Sequence, residues 1–215
     1  DNFDLGLRYF GDSLNLSATY YNVKFNNRIT LLAYEEIDDL PDYLTELDGT
    51  FVNVGGVKSD GIEASMEWRF APNFSLTSSL TLNNAEYSET INGYRAGDKV
   101  AAIPEQMLVA ALNYNDGSYR AGISGKYTAD YYGAAKRAEI NGANVWNRDS
   151  IPSSTIWNAY FGYRHEVANS DMFRFVDLAL TLNNLTDQTY ITGGQEGAYL
   201  LGAGRTASFT VSLGF

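Results

Sequence analysis

Residues 118–131 alternate without a break. Tyr119, Ala121, Ile123, Gly125, Tyr127, Ala129 and Tyr131 take one set of positions, and Ser118, Arg120, Gly122, Ser124, Lys126, Thr128 and Asp130 take the other. Successive side chains of a strand point to opposite faces, so this stretch predicts a strand with one apolar face and one polar face that holds every charge. The same period recurs at 61–70, where Ile62, Ala64, Met66, Trp68 and Phe70 oppose Glu63, Ser65, Glu67 and Arg69. It recurs at 74–83, with Phe74, Leu76, Leu80 and Leu82 against Ser75, Thr77, Ser79, Thr81 and Asn83. Weaker copies run through 3–10, 14–25, 152–165 and 174–184, and residues 107–114 are apolar on both faces. The last seven residues alternate strictly, Phe209, Val211, Leu213 and Phe215 against Thr210, Ser212 and Gly214. The pattern predicts about nine strands, each near the roughly 9–11 residues that a tilted strand needs to cross a bilayer.

The connections alternate in length as well. Gly11-Asp12-Ser13, Ala71-Pro72-Asn73, Asn115-Asp116-Gly117 and residues 168–172 are short, whereas 32–50, 88–99, 133–151 and 193–204 are long. A soluble sandwich buried on one face would also alternate along its strands. It has no reason to send every long loop to one end, which an outer-membrane barrel does, with tight periplasmic turns and long extracellular loops. If the final strand ends in the periplasm, counting back puts Gly11-Asp12-Ser13 on the periplasmic side and the first strand running inward from an extracellular loop. The expected lipid face then carries Leu5, Leu16, Ile62, Met66, Leu76, Leu80, Ile123, Tyr127, Phe161, Leu180, Val211 and Leu213. The expected lumen face carries Arg8, Glu63, Glu67, Arg120, Lys126 and Arg164. Tyr9, Tyr20, Trp68, Phe70, Phe74, Tyr114, Tyr119 and Tyr163 end the apolar faces close to the turns, as an interfacial belt would.

Composition narrows the classes. Charged residues make up 19% of the chain, less than the roughly one quarter of ordinary soluble domains, and aromatic residues reach 14%. A net charge of −11 argues against nucleic acid as a partner. With no Cys and one His, disulfides, thiol chemistry and most transition-metal sites are excluded. No run of 18 apolar residues is present, so a membrane-spanning helix is excluded. Asp1 opens directly onto a strand-like segment with no signal peptide, so for an exported protein the true amino terminus is expected elsewhere.

Local candidates for chemistry have ordinary explanations. His165 has no second ligand with which to share a metal and reads as a solvated rim residue. The acidic run Glu35, Glu36, Asp38, Asp39, Asp42, Glu46 and Asp48 lacks the spacing of an EF-hand loop and reads as a solvated loop. Glu63 and Glu67, with Arg69 two residues on, read as a charge-balanced wall rather than a catalytic carboxylate pair. No nucleophile motif or phosphate loop occurs, and nothing makes a case for an enzyme.

Several segments carry a family resemblance. Phe51-Val52-Asn53-Val54-Gly55-Gly56-Val57-Lys58-Ser59-Asp60-Gly61-Ile62-Glu63 resembles the Asn-x-Gly-x-x-x-x-x-Gly-hydrophobic-Glu stretch of TonB-dependent receptors. Leu182-Asn183-Asn184-Leu185-Thr186-Asp187-Gln188-Thr189-Tyr190 is similar to their segment near the carboxy terminus, residues 205–215 to their last strand, and 104–114 to a Pro-led strand. One departure is Thr210, where the assembly signal of such barrels favours Gly.

The resemblance implies an all-β fold, a transmembrane antiparallel β-barrel. Residues 1–215 would be its carboxy-terminal portion, the last nine or so strands of a plugged barrel of about 22. The amino-terminal plug and the earlier strands would lie outside this chain and be its partners. So would the TonB complex, acting through that missing part, and the lipid or lipopolysaccharide of the bacterial outer membrane. The implied function is energised import of a scarce small-molecule ligand, a ferric siderophore first, without a cofactor. A carbohydrate importer or a passive porin or surface-structural barrel are the alternatives. The acidic loops disfavour bare anions as ligands. Binding residues concentrate on loops held by a rigid scaffold, so ligand contacts are expected from Tyr34, Tyr43, Tyr94, Arg95, Tyr132, Arg137, Trp146 and Tyr199.

Overall fold

The computed structural model describes residues 1–32, 50–53, 55–90, 95–140, 143–167, 172, 174–195 and 198–215. No helix occurs among them. Nine strands form one antiparallel sheet: β1 (Asn2–Phe10), β2 (Leu14–Phe25), β5 (Val57–Ala71), β6 (Phe74–Tyr87), β7 (Gln106–Asn115), β8 (Tyr119–Thr128), β11 (Ser154–Glu166), β12 (Phe175–Asn183) and β15 (Thr206–Gly214). They neighbour one another in sequence order, with β1 and β15 at the edges. The other six strands make hairpins inside the long connections: β3 (Ile29–Leu32) with β4 (Thr50–Asn53), β9 (Tyr131–Ile140) with β10 (Ala143–Ile151), and β13 (Ile191–Gln195) with β14 (Ala198–Leu201). Each long strand predicted from alternation is present. The 118–131 stretch stops at Thr128, and Tyr131 already belongs to the β9/β10 hairpin, so its last apolar position leaves the sheet.

The register keeps the two faces separate across the whole sheet. Leu5, Tyr20, Ile62 and Leu82 stand directly opposite one another on successive strands. So do Trp68, Leu76, Leu112, Ile123, Ala159 and Leu182, on the same face. All twelve residues expected to face lipid share it, and register also settles β7, sending Leu108, Leu112 and Tyr114 to that face and Val109 to the other. A one-residue slip anywhere would turn every side chain of a strand over.

Most of the large apolar residues on that face are exposed, with Leu7 at 77%, Phe209 at 65% and Leu5 at 62%. Each would gain roughly 1.5–3 kcal/mol on leaving water. A soluble fold that left so many outside would forgo more than its whole net stability of about 5–15 kcal/mol. Glycines apart, the buried residues among those described, Val57, Ala85, Tyr87, Val100, Ala129, Ile151 and Asn184, gather toward the end of the sheet where the long connections lie. A single layer has no interior of its own, so its core forms only where loop segments fold back onto it.

At the opposite end the apolar face finishes in a band of rings. Trp68 contacts Phe70 at 5.3 Å between centroids, Phe70 contacts Phe74 at 5.8 Å, and Phe74 contacts Tyr114 at 4.9 Å. Tyr119 lies 4.9 Å from Tyr163 and 6.3 Å from Phe161. Tyr20 does not join this band; pairing with Leu5 and Ile62 places it toward the long-loop end of the face. One of the tight turns beneath the rings is built by side chains. In the β7–β8 turn Asn115 Oδ1 accepts the Gly117 N–H, and Asp116 Oδ1 accepts those of Ser118 and Tyr119 at 2.9 and 2.7 Å. Gly117 supplies the φ of +94° that closes this turn, a conformation that side chains other than glycine rarely adopt.

Candidate ligand site on the polar face

The polar face of the sheet gathers the charges. Arg8, Glu63, Glu67, Arg120, Lys126 and Arg164 all fall on it, opposite Ser17, Thr19, Asn15, Gly162, Val109 and Asp177 respectively. Near the short-turn end Arg120 reaches across β11 to Asp177 on β12, at 2.6 and 2.8 Å to the two carboxylate oxygens. It does so because Gly162 lies between them, and a Cβ there would meet the guanidinium. Arg164 turns instead to Glu166 at 2.7 Å and lies 3.7 Å over the Phe175 ring. The expected balance of Glu63 and Glu67 by Arg69 does not form. A bulge between Trp68 and Ala71 turns Arg69 toward the β1–β2 turn, where its guanidinium donates to the Asp12 carbonyl at 2.9 Å. Arg8 and Glu67 border a hollow of about 530 Å³ floored by Ser17, Ser65, Thr77 and Ser79. Small polar side chains leave that room, and the charges at its edge make no ion pair among the described residues.

Toward the long-loop end the same face carries a polar network. Tyr21 and Ser59 both donate to Asn83 Oδ1, at 2.8 and 2.9 Å. The Tyr21 ring crosses Gly61, where any side chain would collide with it. Just beyond, the β2 alternation breaks at Asn26-Asn27. Asn27 takes a φ of +57° and accepts from Asn53 Nδ2 at 3.1 Å, while Asn53 Oδ1 accepts the N–H of Gly55, itself at φ +81°. Arg28 N–H donates to the Gly55 carbonyl at 2.8 Å. This junction aims the Arg28 guanidinium at Tyr87, with Nη1 3.3 Å from the phenol oxygen and the guanidinium carbon 5.9 Å from the ring centre. Beside it is a cavity of about 470 Å³ lined by Phe25, Asn26, Asn27, Arg28, Val57, Ser59, Ala85, Val100 and Ile103.

On the apolar face at this level apolar residues give way to charge. Lys99 binds Glu105 at 2.7 Å, Glu86 at 3.0 Å and the Asn84 side-chain oxygen. The hydrogen bond that the ammonium donates to Glu105, outweighing the penalty of burial, holds Lys99 above its ordinary pKa.

The 183–190 segment ties the rim together. Asn184 is 2% exposed and in the left-handed region at φ +50°. Its amide donates to the carbonyls of Gln188 and Ala203 and accepts the Gln188 N–H at 2.9 Å. Asn158 on β11 accepts the Asn184 N–H, Gln188 Oε1 accepts that of Thr155, and Asp187 accepts that of Arg205. One short polar segment thus fixes β11, β12 and the approach to β15, which explains its Asn, Asp and Gln at those spacings.

Of the residues expected to bind a ligand, Tyr34, Tyr43 and Tyr94 lie outside the described residues, as do the side chains of Arg137 and Trp146. Arg95 and Tyr132 are exposed beyond the sheet. Tyr199 is engaged: its hydroxyl donates to Asp149 Oδ2 at 2.9 Å and its ring covers Gly133, so it joins the β13/β14 hairpin to β9/β10. The sequence reading missed Arg28, Tyr21, Ser59 and Tyr87. The readable signal was the Asn26-Asn27 break in an otherwise regular strand, followed by a lone Arg and faced by Gly55-Gly56.

Residues 1–185 match the family described as TonB dependent receptor-like, beta-barrel. No curated protein matches the chain. Among solved structures it is similar to the siderophore receptor PiuA from Acinetobacter baumannii, at 21% identity and a TM-score of 0.68, over 98% of this chain and 28% of that one. The ferric citrate transporter FecA in its unliganded form is 20% identical with a TM-score of 0.68, over 99% and 30%. The copper transporter OprC is 21% identical with a TM-score of 0.66, over 98% and 30%. The chain therefore spans under a third of the length of these solved relatives.

Proposed function

Because the chain belongs to the TonB-dependent receptor β-barrel family, we propose that it is the carboxy-terminal stretch of wall of an outer-membrane importer, closed by a plug and driven through TonB. One observation carries the reading. The sheet has an exposed apolar face, bounded by aromatic rings at one end and by the Lys99 cluster at the other, and a charged face behind it. In the membrane the first face meets lipid and the second lines the lumen. The edges β1 and β15 pair in this reading with further strands of the same receptor, since each backbone group left open in hydrocarbon costs several kcal/mol. Arg8 and Glu67, without an ion pair among the described residues, and the hollow that they border suit a polar plug surface.

The ligand we propose is a ferric siderophore, a reading supported by the siderophore receptor and the ferric citrate transporter among the similar structures. The experiment is uptake of ⁵⁵Fe, supplied as ferric citrate or as ferric hydroxamate and catecholate chelates. Cells carry the full-length receptor, with and without TonB. Uptake of at least one chelate that vanishes without TonB is expected. Equal uptake in both backgrounds would replace the importer by a passive pore, and no chelate uptake beside TonB-dependent sugar uptake would make it a carbohydrate importer.

A further inference from the structure

The 470 Å³ cavity beside Arg28 has the size and character of a ligand site. Small-molecule pockets run to roughly 300–1,000 Å³ and are mainly apolar, with a few polar groups that set orientation. Here Val57, Ala85, Val100 and Ile103 supply the apolar part, and Ser59 and Arg28 the polar part. Among the described residues Arg28 is the one charged member of the lining, and no carboxylate shares the cavity with it.

The state of that guanidinium is the second observation. An arginine presents five N–H donors in a planar fork suited to a carboxylate or phosphate. Among the described residues one of the five is used, on the Tyr87 hydroxyl oxygen, and no ion pair forms. Elsewhere on the polar face Arg120 and Arg164 each take a carboxylate, while Arg8 and Lys126, like Arg28, make no ion pair among the described residues. What sets Arg28 apart from these is the built junction that holds its exposed guanidinium over the Tyr87 ring, beside a mainly apolar cavity.

We infer that this cavity binds an organic acid with an apolar body, the carboxylate or equivalent oxyanion taken by Arg28 and the body packed against Val57, Ala85, Val100 and Ile103. The inference rests on the reading of this face as the inner wall of an importer. It distinguishes an amphiphilic acid, or the acid arm of a larger chelate, from the bare anions that the acidic loops disfavour.

The test uses the purified full-length receptor and two water-soluble probes, benzoate and its neutral isostere benzamide, titrated by saturation-transfer NMR. Benzoate is expected to bind about tenfold more tightly than benzamide, the range of a charge-assisted bidentate hydrogen bond. Arg28→Gln should abolish the difference and Arg28→Lys should keep part of it. Lys24→Gln, on the outer face, should leave both affinities within about twofold. Resistance of each unboiled variant to unfolding on a gel reports that the barrel is intact. Equal affinity for the two probes, or a preference that survives Arg28→Gln, would overturn the site. Absence of TonB-dependent uptake of every chelate and sugar, with benzoate discrimination intact, would sink the importer reading and leave the Arg28 site standing.

Discussion

Arginine at Ile123 and arginine at the next position, Ser124, should differ sharply in cost. Ile123 stands on the apolar face between Leu112 and Ala159, and Ser124 on the charged face between Ala111 and Asn158. Ile123 lies four residues from Tyr119, whose ring belongs to the aromatic band. At a rise of about 3.3 Å per residue and a strand tilt of 35–45°, that puts it roughly 10 Å above the band, close to the middle of an apolar belt about 25 Å tall. An arginine at that depth costs about 2–4 kcal/mol, which shifts the folding equilibrium roughly 30- to 700-fold. At Ser124 the guanidinium enters the polar face, where Arg120 and Lys126 lie farther along; the repulsion of like charges in water is worth under about 1 kcal/mol. The assay is urea unfolding of the full-length receptor in phospholipid vesicles, followed by tryptophan fluorescence, with the outer-membrane level of each variant in cells as a second readout. Equal destabilisation at the two positions, or more at Ser124, would mean that the faces are assigned wrongly or that no lipid meets this sheet.

Gly122→Ala should cost about 1–3 kcal/mol by overpacking, because the added Cβ meets the Tyr160 ring and the Asn113 side chain; combining it with Tyr160→Ser should recover most of the loss in a double-mutant cycle of urea midpoints. The Asp116 carboxyl is held below its ordinary pKa, first by the Tyr119 N–H and then by the Tyr114 hydroxyl. Its contribution to the β7–β8 turn is therefore present above the ordinary carboxylate range and lost as pH falls through the depressed value. Asp116→Asn should flatten that part of the pH dependence of the urea midpoint, and an unchanged profile would refute the linkage. Tyr199→Phe removes the bond to Asp149 and should speed amide exchange in the β9/β10 and β13/β14 hairpins without changing exchange in β8 or β11; no change in the hairpins would deny the latch.

The nine long strands, their two faces and the end at which the long loops lie are legible in the spacing of residues along the chain. A period of two is a local property, and alternation at Ile123 and Ser124 needs no distant partner to be read. The charged set of Arg8, Glu63, Glu67, Arg120, Lys126 and Arg164 was legible for the same reason, since parity alone assigns a face. Which charges meet was not. Arg120 takes Asp177 from a strand two places away because Gly162 leaves a path, and Arg69 is lost to a turn carbonyl because a bulge rotates it. Neither a glycine's neighbour across strands nor a bulge is written in the spacing of one strand. The Arg28 cavity is of the same kind: its lining comes from β2, β5, β6 and residues 100–103, and only the pairing of those strands brings Val57, Ala85 and Val100 beside a cation 29 residues before the first of them. The hairpins inside the long connections, and the Tyr199 contact that joins two of them, also depended on tertiary packing, because an exposed loop tyrosine reads the same whether it waits for a ligand or holds Asp149.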